Sequence, residues 1–347
     1  MASPYVQRIR KINKDKNTTN IVFDPVQLGF PKGNILGMDV SADGTIYAAD
    51  YYNDVIYKIP ANGGGSQATP SATTVYVKGA LAGETATTGD TAISGLNDAT
   101  APSNVPFPVN VASLSGPKGL CVDYSNNIYA VSAGVEKIKR ISSSGRVQTL
   151  CGGGAFGVTF SGITGICVDR AGVIYVCDTG VNKIKRVQAN GTVAVLAGGG
   201  VAGSPFAGMV NGNGNTAAFH TATDVAVDRN GNVYVADSLN YRIRKVDPSG
   251  NVTTLAGSVS GFVDGGTSNT SGAVAKFTLP TKLCIDYSEQ FLYVLDGPDA
   301  YSNYAIRKVS MNGVVNTFWN WKTSAVALGD IAVDRSGFVY YVETFTS

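Results

Sequence analysis

The sequence predicts an all-β chain of six units, each a four-stranded antiparallel sheet, and three observations carry that reading. Glutamate occurs only four times in 347 residues, at 84, 136, 289 and 343, while glycine occurs 42 times. Glu favours helices and is poor in strands, so this composition belongs to a β protein rich in turns. A basic string, RIRKI at 8–12, returns as KIKRI (137–141), KIKRV (183–187), RIRKV (242–246) and AIRKV (305–309). The third observation is the spacing of the unit that carries that string.

One unit reads TDVAVDRNGNVYVADSLNYRIRKVDPSGNVTTLAG (223–257). Its four apolar, β-branched runs are DVAVD, NVYVAD, YRIRKV and VTTLAG, and Gly/Asn/Ser/Pro turns separate them, which is the pattern of a meander. The residue closing the first run falls at Ser41, Asp123, Asp169, Asp228, Asp286 and Asp334, with gaps of 82, 46, 59, 58 and 48. Joining the two ends of the chain gives a sixth gap of 54. The second run closes at Asp50, Ser132, Asp178, Asp237, Asp296 and Glu343. From there to the last apolar residue of the third run is nine residues in the first four units. It is thirteen in the fifth, where GPDAYSNYA lengthens the connection.

The sixth unit stops after two runs, GDIAVDRSGFVYYVETFTS (329–347). The missing runs are YVQRIRKI (5–12) and TNIVFD (19–24), at the other end of the chain. Residues 329–347 and 5–24 are therefore expected to share one sheet. A four-stranded meander repeated around an axis and closed on itself is a six-bladed β-propeller, which leaves only short protected edges.

The segments VDRNGNVYVAD, DSLNYRIRKV and the inter-blade GFVDGGTSNTSGAVAKFTLP (261–280), with a looser copy at GMVNGNGNTAAF (208–219), resemble the NHL-repeat family of propellers. The resemblance covers nearly the whole chain. Blade 1 departs most, because residues 79–118 swell the segment after it. Some NHL propellers bind RNA, and some similar propellers are lyases or lactonases; the resemblance implies these as alternatives. The first would need a basic patch on the loop-bearing face, and the long links carry almost no Lys or Arg. The second needs several His or a Glu/Asn/Asp metal cluster, and His220 is the only histidine.

Two faces are expected. The turns between strands 1–2 and 3–4 read RNGN, RAGV, PSGN, SSGR, ANGT and MNGV, and are uniformly tight. The irregular segments 79–118, 199–222, 257–282 and 297–304 are expected on the other face, and function sits preferentially on variable loops held by a rigid scaffold. The candidate binding residues there are Tyr51, Tyr52, Asn53, Phe206, Met209, Asp299, Tyr301 and Tyr304. Tyrosines among small polar neighbours suit protein or glycan contact, and capping of the blade ends is the competing reading.

Chemistry is sparse. One His makes a Ser-His-Asp triad or a His-rich zinc site improbable. GGG at 152–154 and 198–200 precedes no helix, so it reads as turn and not as a phosphate loop. Asp50, Asp178, Asp237, Asp296 and Glu343 could ring a calcium ion, helped by VDGGTSN (263–269) and NGNGN (211–215). A repeated residue more often does a repeated structural job, here ordering the strand 2–3 loop, so the expected cofactor is none. The basic third strands point around the ring and are expected to pair with the strand-one acids Asp123, Asp169 and Asp228. Cys121, Cys167 and Cys284 share one register, Cys177 lies on a second strand, and no CxxC occurs, so they read as small buried hydrophobes.

Net charge is +2 with pI about 8.1, too balanced for nucleic acid as a bulk partner. No apolar run approaches the ~18–20 residues of a membrane span, and the N-terminal stretch lacks the apolar core of a secretory signal. The expectation is a non-catalytic binding or structural propeller folded in the cytoplasm, with protein partners in an assembly or a surface glycan. The more specific expectation is a bacteriophage virion component, a tail, fibre or capsid-surface protein.

Overall fold

Residues such as Val233–Asp237 (VYVAD) are β-branched and aromatic on both faces, and all five side chains are buried. A strand buried on both faces needs a neighbouring sheet on each side, and a ring of blades supplies that. The computed structural model describes residues 5–12, 19–24, 33–60, 73–76, 114–133, 136–143, 147–153, 158–199, 208–266, 274–298, 304–321 and 326–346. Most of the 79–118 insertion lies outside them.

Each blade is an antiparallel meander. Blade 1 is Ile35–Val40, Ile46–Asp50, Val55–Ile59 and Thr73–Tyr76; blade 2 is Pro117–Val122, Ile128–Ser132, Lys137–Ile141 and Val147–Gly152. Blade 3 is Ile163–Val168, Ile174–Asp178, Lys183–Val187 and Val193–Gly198; blade 4 is Ala222–Val227, Val233–Asp237, Arg242–Val246 and Asn251–Gly257. Blade 5 is Pro280–Ile285, Phe291–Asp296, Ala305–Ser310 and Val315–Asn320. Blade 6 takes Val326–Val333 and Val339–Thr346 from one end of the chain and Tyr5–Ile12 and Thr19–Phe23 from the other. There Ile9 faces Val342 and Lys11 faces Tyr340 across the join. The six first strands touch in sequence around the axis, and Val326–Val333 meets Ile35–Val40 to close the ring.

Packing follows from this geometry. Six hydrophobic clusters lie between neighbouring blades, such as Ile9, Val22, Phe23 and Val342 of blade 6 against Ile35, Ile46, Val55 and Tyr57 of blade 1. Leu120, Ile128 and Ala130 likewise meet Tyr47 and Ile56. Each buried aliphatic side chain contributes about 1.5–3 kcal/mol. Glycine sets how closely the blades meet: a Cβ on Gly165 would lie 2.5 Å from Asp224 Cα.

The turns between strands 1 and 2 repeat one bonding set. Asp228 accepts from the amides of Asn230 and Asn232, from Asn232 Nδ2 and from the Tyr234 hydroxyl at 3.0 Å. Asp123, Asp169 and Asp334 do the same with Tyr129, Tyr175 and Tyr340. The strand-one acids therefore do not pair with the basic third strands, contrary to the expectation from sequence. Turn amides and tyrosine hydroxyls take their oxygens first, because these donors are local and already ordered.

The basic residues find the strand-two acids instead. Arg244 reaches Asp237 at 2.7 Å, Arg307 reaches Asp296 at 2.9 Å, Lys185 reaches Asp178 at 2.6 Å and Arg10 reaches Glu343 at 2.5 Å. Blade 1 has Tyr57 at that position, and its hydroxyl donates to Asp50 at 3.1 Å.

The links also depart from expectation. Residues 208–219, and 261–266 with 274–277, do not stay on the loop-bearing face. Each descends along the outer strand of the next blade and returns between blades. Gly212–Asn213 pairs with Asn251 and Val252, and Gly265 exchanges two hydrogen bonds with Val315. An outermost strand presents unpaired N–H and C=O groups, and the link satisfies them as a fifth strand would.

Candidate functional site

The strand 2–3 loops are built on the strand-two acid. In blade 1, Asp50 Oδ1 accepts from the amides of Asn34, Tyr52 and Asn53, and Oδ2 accepts from Asn53 Nδ2 at 2.7 Å. In blade 4, Asp237 accepts from the His220 amide, Asn240 Nδ2 and Arg244. These carboxylates are held by local donors and order the loop. Asn53 is part of that frame and turns inward. The calcium hints resolve the same way: Asp264 accepts from Arg307, the Thr317 amide and the Thr317 hydroxyl, and Asn211 accepts from Arg244 and Thr254. Among the described residues no group of three or more His, Cys, Asp or Glu is placed to hold a metal ion.

The two tyrosines held by this frame project outward. Tyr52 is 61% exposed, and Tyr51 packs edge-on to it with ring centroids 5.6 Å apart. Tyr51 also covers the start of blade 2, where a Cβ on Gly116 would meet its ring at 2.7 Å. It both caps and presents a surface. Met209, Val259 and Phe262 are exposed where the links leave that face, and Leu239 is exposed in the blade 4 loop. Tyr304 is half-buried, with its hydroxyl pKa pushed up by burial. Phe206, Asp299 and Tyr301 lie outside the described residues.

The central channel holds residues that the repeat pattern concealed. Asp224, Lys282 and Asp330 occupy the register where blades 1, 2 and 3 have Gly37, Gly119 and Gly165. Asp39 stands where other blades have Cys121, Cys167, Ala226, Cys284 or Ala332. Each carboxylate bridges two blades. Asp330 accepts from the amides of Ile331 and, across the junction, Met38 at 2.7 Å. Asp39 accepts from Val40 and Val122, and Asp224 accepts from Leu283 in the next blade.

Burial raises Asp39 to about 7 against the pull of the Val122 and Val40 amides. Burial also raises Asp224 to about 7, opposed by Lys282, and shifts Asp330 upward. Burial disfavours the Lys282 charge, but Asp330 and Asp224 outweigh it and raise its pKa. A cavity of about 150 Å³ lies here, with Cys121, Cys167 and Cys284 on its wall; Cys121 also packs into the cluster between blades 2 and 3. Burial holds all three well above the usual thiol range, which keeps them protonated and unreactive.

One apolar β-branched residue per blade, Val40, Val122, Val168, Val227, Ile285 and Val333, forms a collar around the axis. Beyond it a second cavity, of about 170 Å³, opens on the tight-turn face between Tyr124, Tyr287 and Arg335. Sequence reasoning passed over this face because its turns are short. The available signal was the residue after each strand-one acid, which varies while the rest of the turn repeats.

Comparisons with known proteins agree with this architecture. Residues 192–300 match the family model of the Teneurin NHL domain. No curated protein matches the chain. A structural-genomics protein of unknown function from Bacteroides thetaiotaomicron superposes with a TM-score of 0.57 at 17% identity over 96% of this chain and 64% of its own. An auxiliary nutrient binding protein from Bacteroides ovatus gives 0.57 at 17% identity over 83% of this chain and 61% of its own. The chain thus spans less than two thirds of either. A streptogramin B lyase structure gives 0.50 at 11% identity over 98% and 97% of the two chains. At these identities the likeness is one of fold. Blade count and closure make the chain a six-bladed β-propeller, and residues 192–300 of it are similar to an NHL domain.

Proposed function

We propose that this propeller is a non-catalytic binding module that engages protein or glycan partners through its loop-bearing face. One observation carries the reading: large apolar side chains stand exposed on the loops and link starts of that face, Tyr51, Tyr52, Leu239, Met209, Val259 and Phe262. Tyr and Met are enriched in contact surfaces. Hydrogen bonds to Asp50 and Asn34 fix the backbone beneath Tyr51 and Tyr52, which lowers the ordering entropy that binding would cost there. The nutrient-binding protein from Bacteroides ovatus is a precedent for a binding role on this fold. The setting we propose is a bacteriophage particle surface, on the Glu-poor, Gly-rich composition alone.

Glycan-array and particle-binding measurements on Tyr52→Ala and on Tyr51→Ala/Tyr52→Ala test the face. The double variant should keep its melting temperature to within a few degrees and lose at least about tenfold in affinity. Unchanged binding would move the site elsewhere. Mass spectrometry of purified phage particles tests the setting, and a protein found in no particle fraction removes it.

A further inference from the structure

The turn-side mouth of the channel differs from the rest of its face. In ring order its second turn residues are Ala42, Tyr124, Arg170, Arg229, Tyr287 and Arg335. Five are large; Ala42 leaves blade 1 open as an entrance. Tyr124 and Tyr287 come from opposite blades and are 52% and 47% exposed. Each lies beneath a guanidinium: Arg170 stands 5.0 Å from the Tyr124 ring centre and Arg335 4.6 Å from that of Tyr287.

The charges are not matched evenly around the ring. Glu289 takes Arg229 at 2.7 Å and Arg170 at 3.8 Å, closing the blade 3–4 side. It does so from φ 55°, at the turn position where Gly44, Gly172, Gly231 and Gly337 stand in four other blades. A long side chain in the left-handed region is strained, and strain of this kind collects at functional sites. Among the described residues Arg335 has no carboxylate partner. It stands on the open side, at the rim of the cavity of about 170 Å³ whose floor is the apolar collar and whose wall includes Ser41, Asp123 and Asp286.

We propose that this mouth binds a sugar acid. Exposed tyrosine rings take the C–H face of a pyranose, and the unpaired guanidinium of Arg335 takes its carboxylate through two parallel hydrogen bonds. Ligand hydroxyls donate to Asp286, whose carboxylate accepts three turn bonds and keeps one acceptor site, while the four sites of Asp123 are already taken. The same carboxylates repel a second negative charge, so one anionic group at the rim fits and a phosphate-rich ligand does not. The site lies on the face opposite the loop surface and does not depend on it.

Saturation-transfer NMR with D-glucuronate, and with D-glucose and AMP as separate arms, decides the matter. Glucuronate should bind with a dissociation constant of order 1 mM. Glucose should bind at least about tenfold more weakly, having no group for Arg335. Arg335→Gln should lower glucuronate affinity about tenfold, and Tyr124→Ala and Tyr287→Ala about fivefold each, with melting curves unchanged. Should Arg335→Gln melt early, Arg335→Lys keeps the charge without the fork and should still weaken binding several-fold. No transfer to glucuronate, an Arg335 variant that binds as the parent does, or AMP binding as tightly as glucuronate would each overturn the assignment.

Discussion

Blades 4 and 6 solve one structural problem with different materials. In both, the acid that ends strand two is paired with the middle base of strand three. Blade 4 is one continuous stretch, and its pair, Arg244 and Asp237, is fully buried at 0% exposure. The same guanidinium also donates to the carbonyls of Ala218 and Val210 and to Asn211, and so clamps the descending link to the blade. Blade 6 is assembled from the two ends of the chain, and its pair, Arg10 and Glu343, keeps Arg10 20% exposed. The planar guanidinium holds two backbone carbonyls and two side chains in blade 4, while in blade 6 eight consecutive residue pairs across the join share the task. Pairing chemistry is shared; what holds each blade together is not.

The largest test removes the shared strands. Deleting residues 1–24 takes two of blade 6's four strands and bares the Val339–Thr346 edge, which leaves an aggregation-prone strand. Insoluble protein or loss of the cooperative transition is expected; a soluble deletion variant that melts cooperatively would mean the seam carries little of the fold.

Next in size, Arg244→Met strands a buried carboxylate and the link carbonyls, and should cost about 3–5 kcal/mol in denaturant unfolding. Arg10→Met, at the better solvated pair, should cost about 1–2 kcal/mol. Equal losses would erase the distinction between the two blades.

The smallest effect is a pH slope. Asp39 ionises near 7 in the fold and near 3.9 in the unfolded chain, so the fold keeps a proton that the unfolded chain has shed. Its contribution is fully present below about pH 4 and is lost as pH rises through 7. Of order 2 kcal/mol should disappear between pH 5 and 8, and Asp39→Asn should flatten that part of the slope. A variant whose stability falls as steeply as the parent's would assign the slope to other groups.

Much of the ring was legible in the sequence because each blade repeats: the acids ending the runs mark the register, and the split sixth unit marks the closure. Tyr5–Ile12 and Thr19–Phe23 share one sheet with Val326–Val333 and Val339–Thr346, as the spacing implied, with Ile9 beside Val342. Residues that break the pattern were harder to read. Asp39, Asp224, Lys282 and Asp330 sit at registers where other blades have Gly, Ala or Cys, and a search for likeness discards such positions. The course of the links was hidden for another reason. Nothing in GMVNGNGNTAAF states that its backbone will pair with Asn251 and Val252, since that depends on an unfilled edge formed about 40 residues later. The basic third strands were read with the wrong partners because two acids per blade were available, and only the geometry of the turns shows that one set is already taken.

The join in blade 6 also bears on how the chain is made. Arg10 emerges from the ribosome 333 residues before the Glu343 it will meet. At ordinary rates of synthesis that is a wait of roughly 15–70 s. Through that interval the hairpin of Tyr5–Ile12 and Thr19–Phe23 has one side without its neighbour, while the blades between are completed in turn. Closure is a late, long-range event in a chain whose other sheets form locally, so a pause in translation or a shortage of chaperone should be felt at this blade before any other.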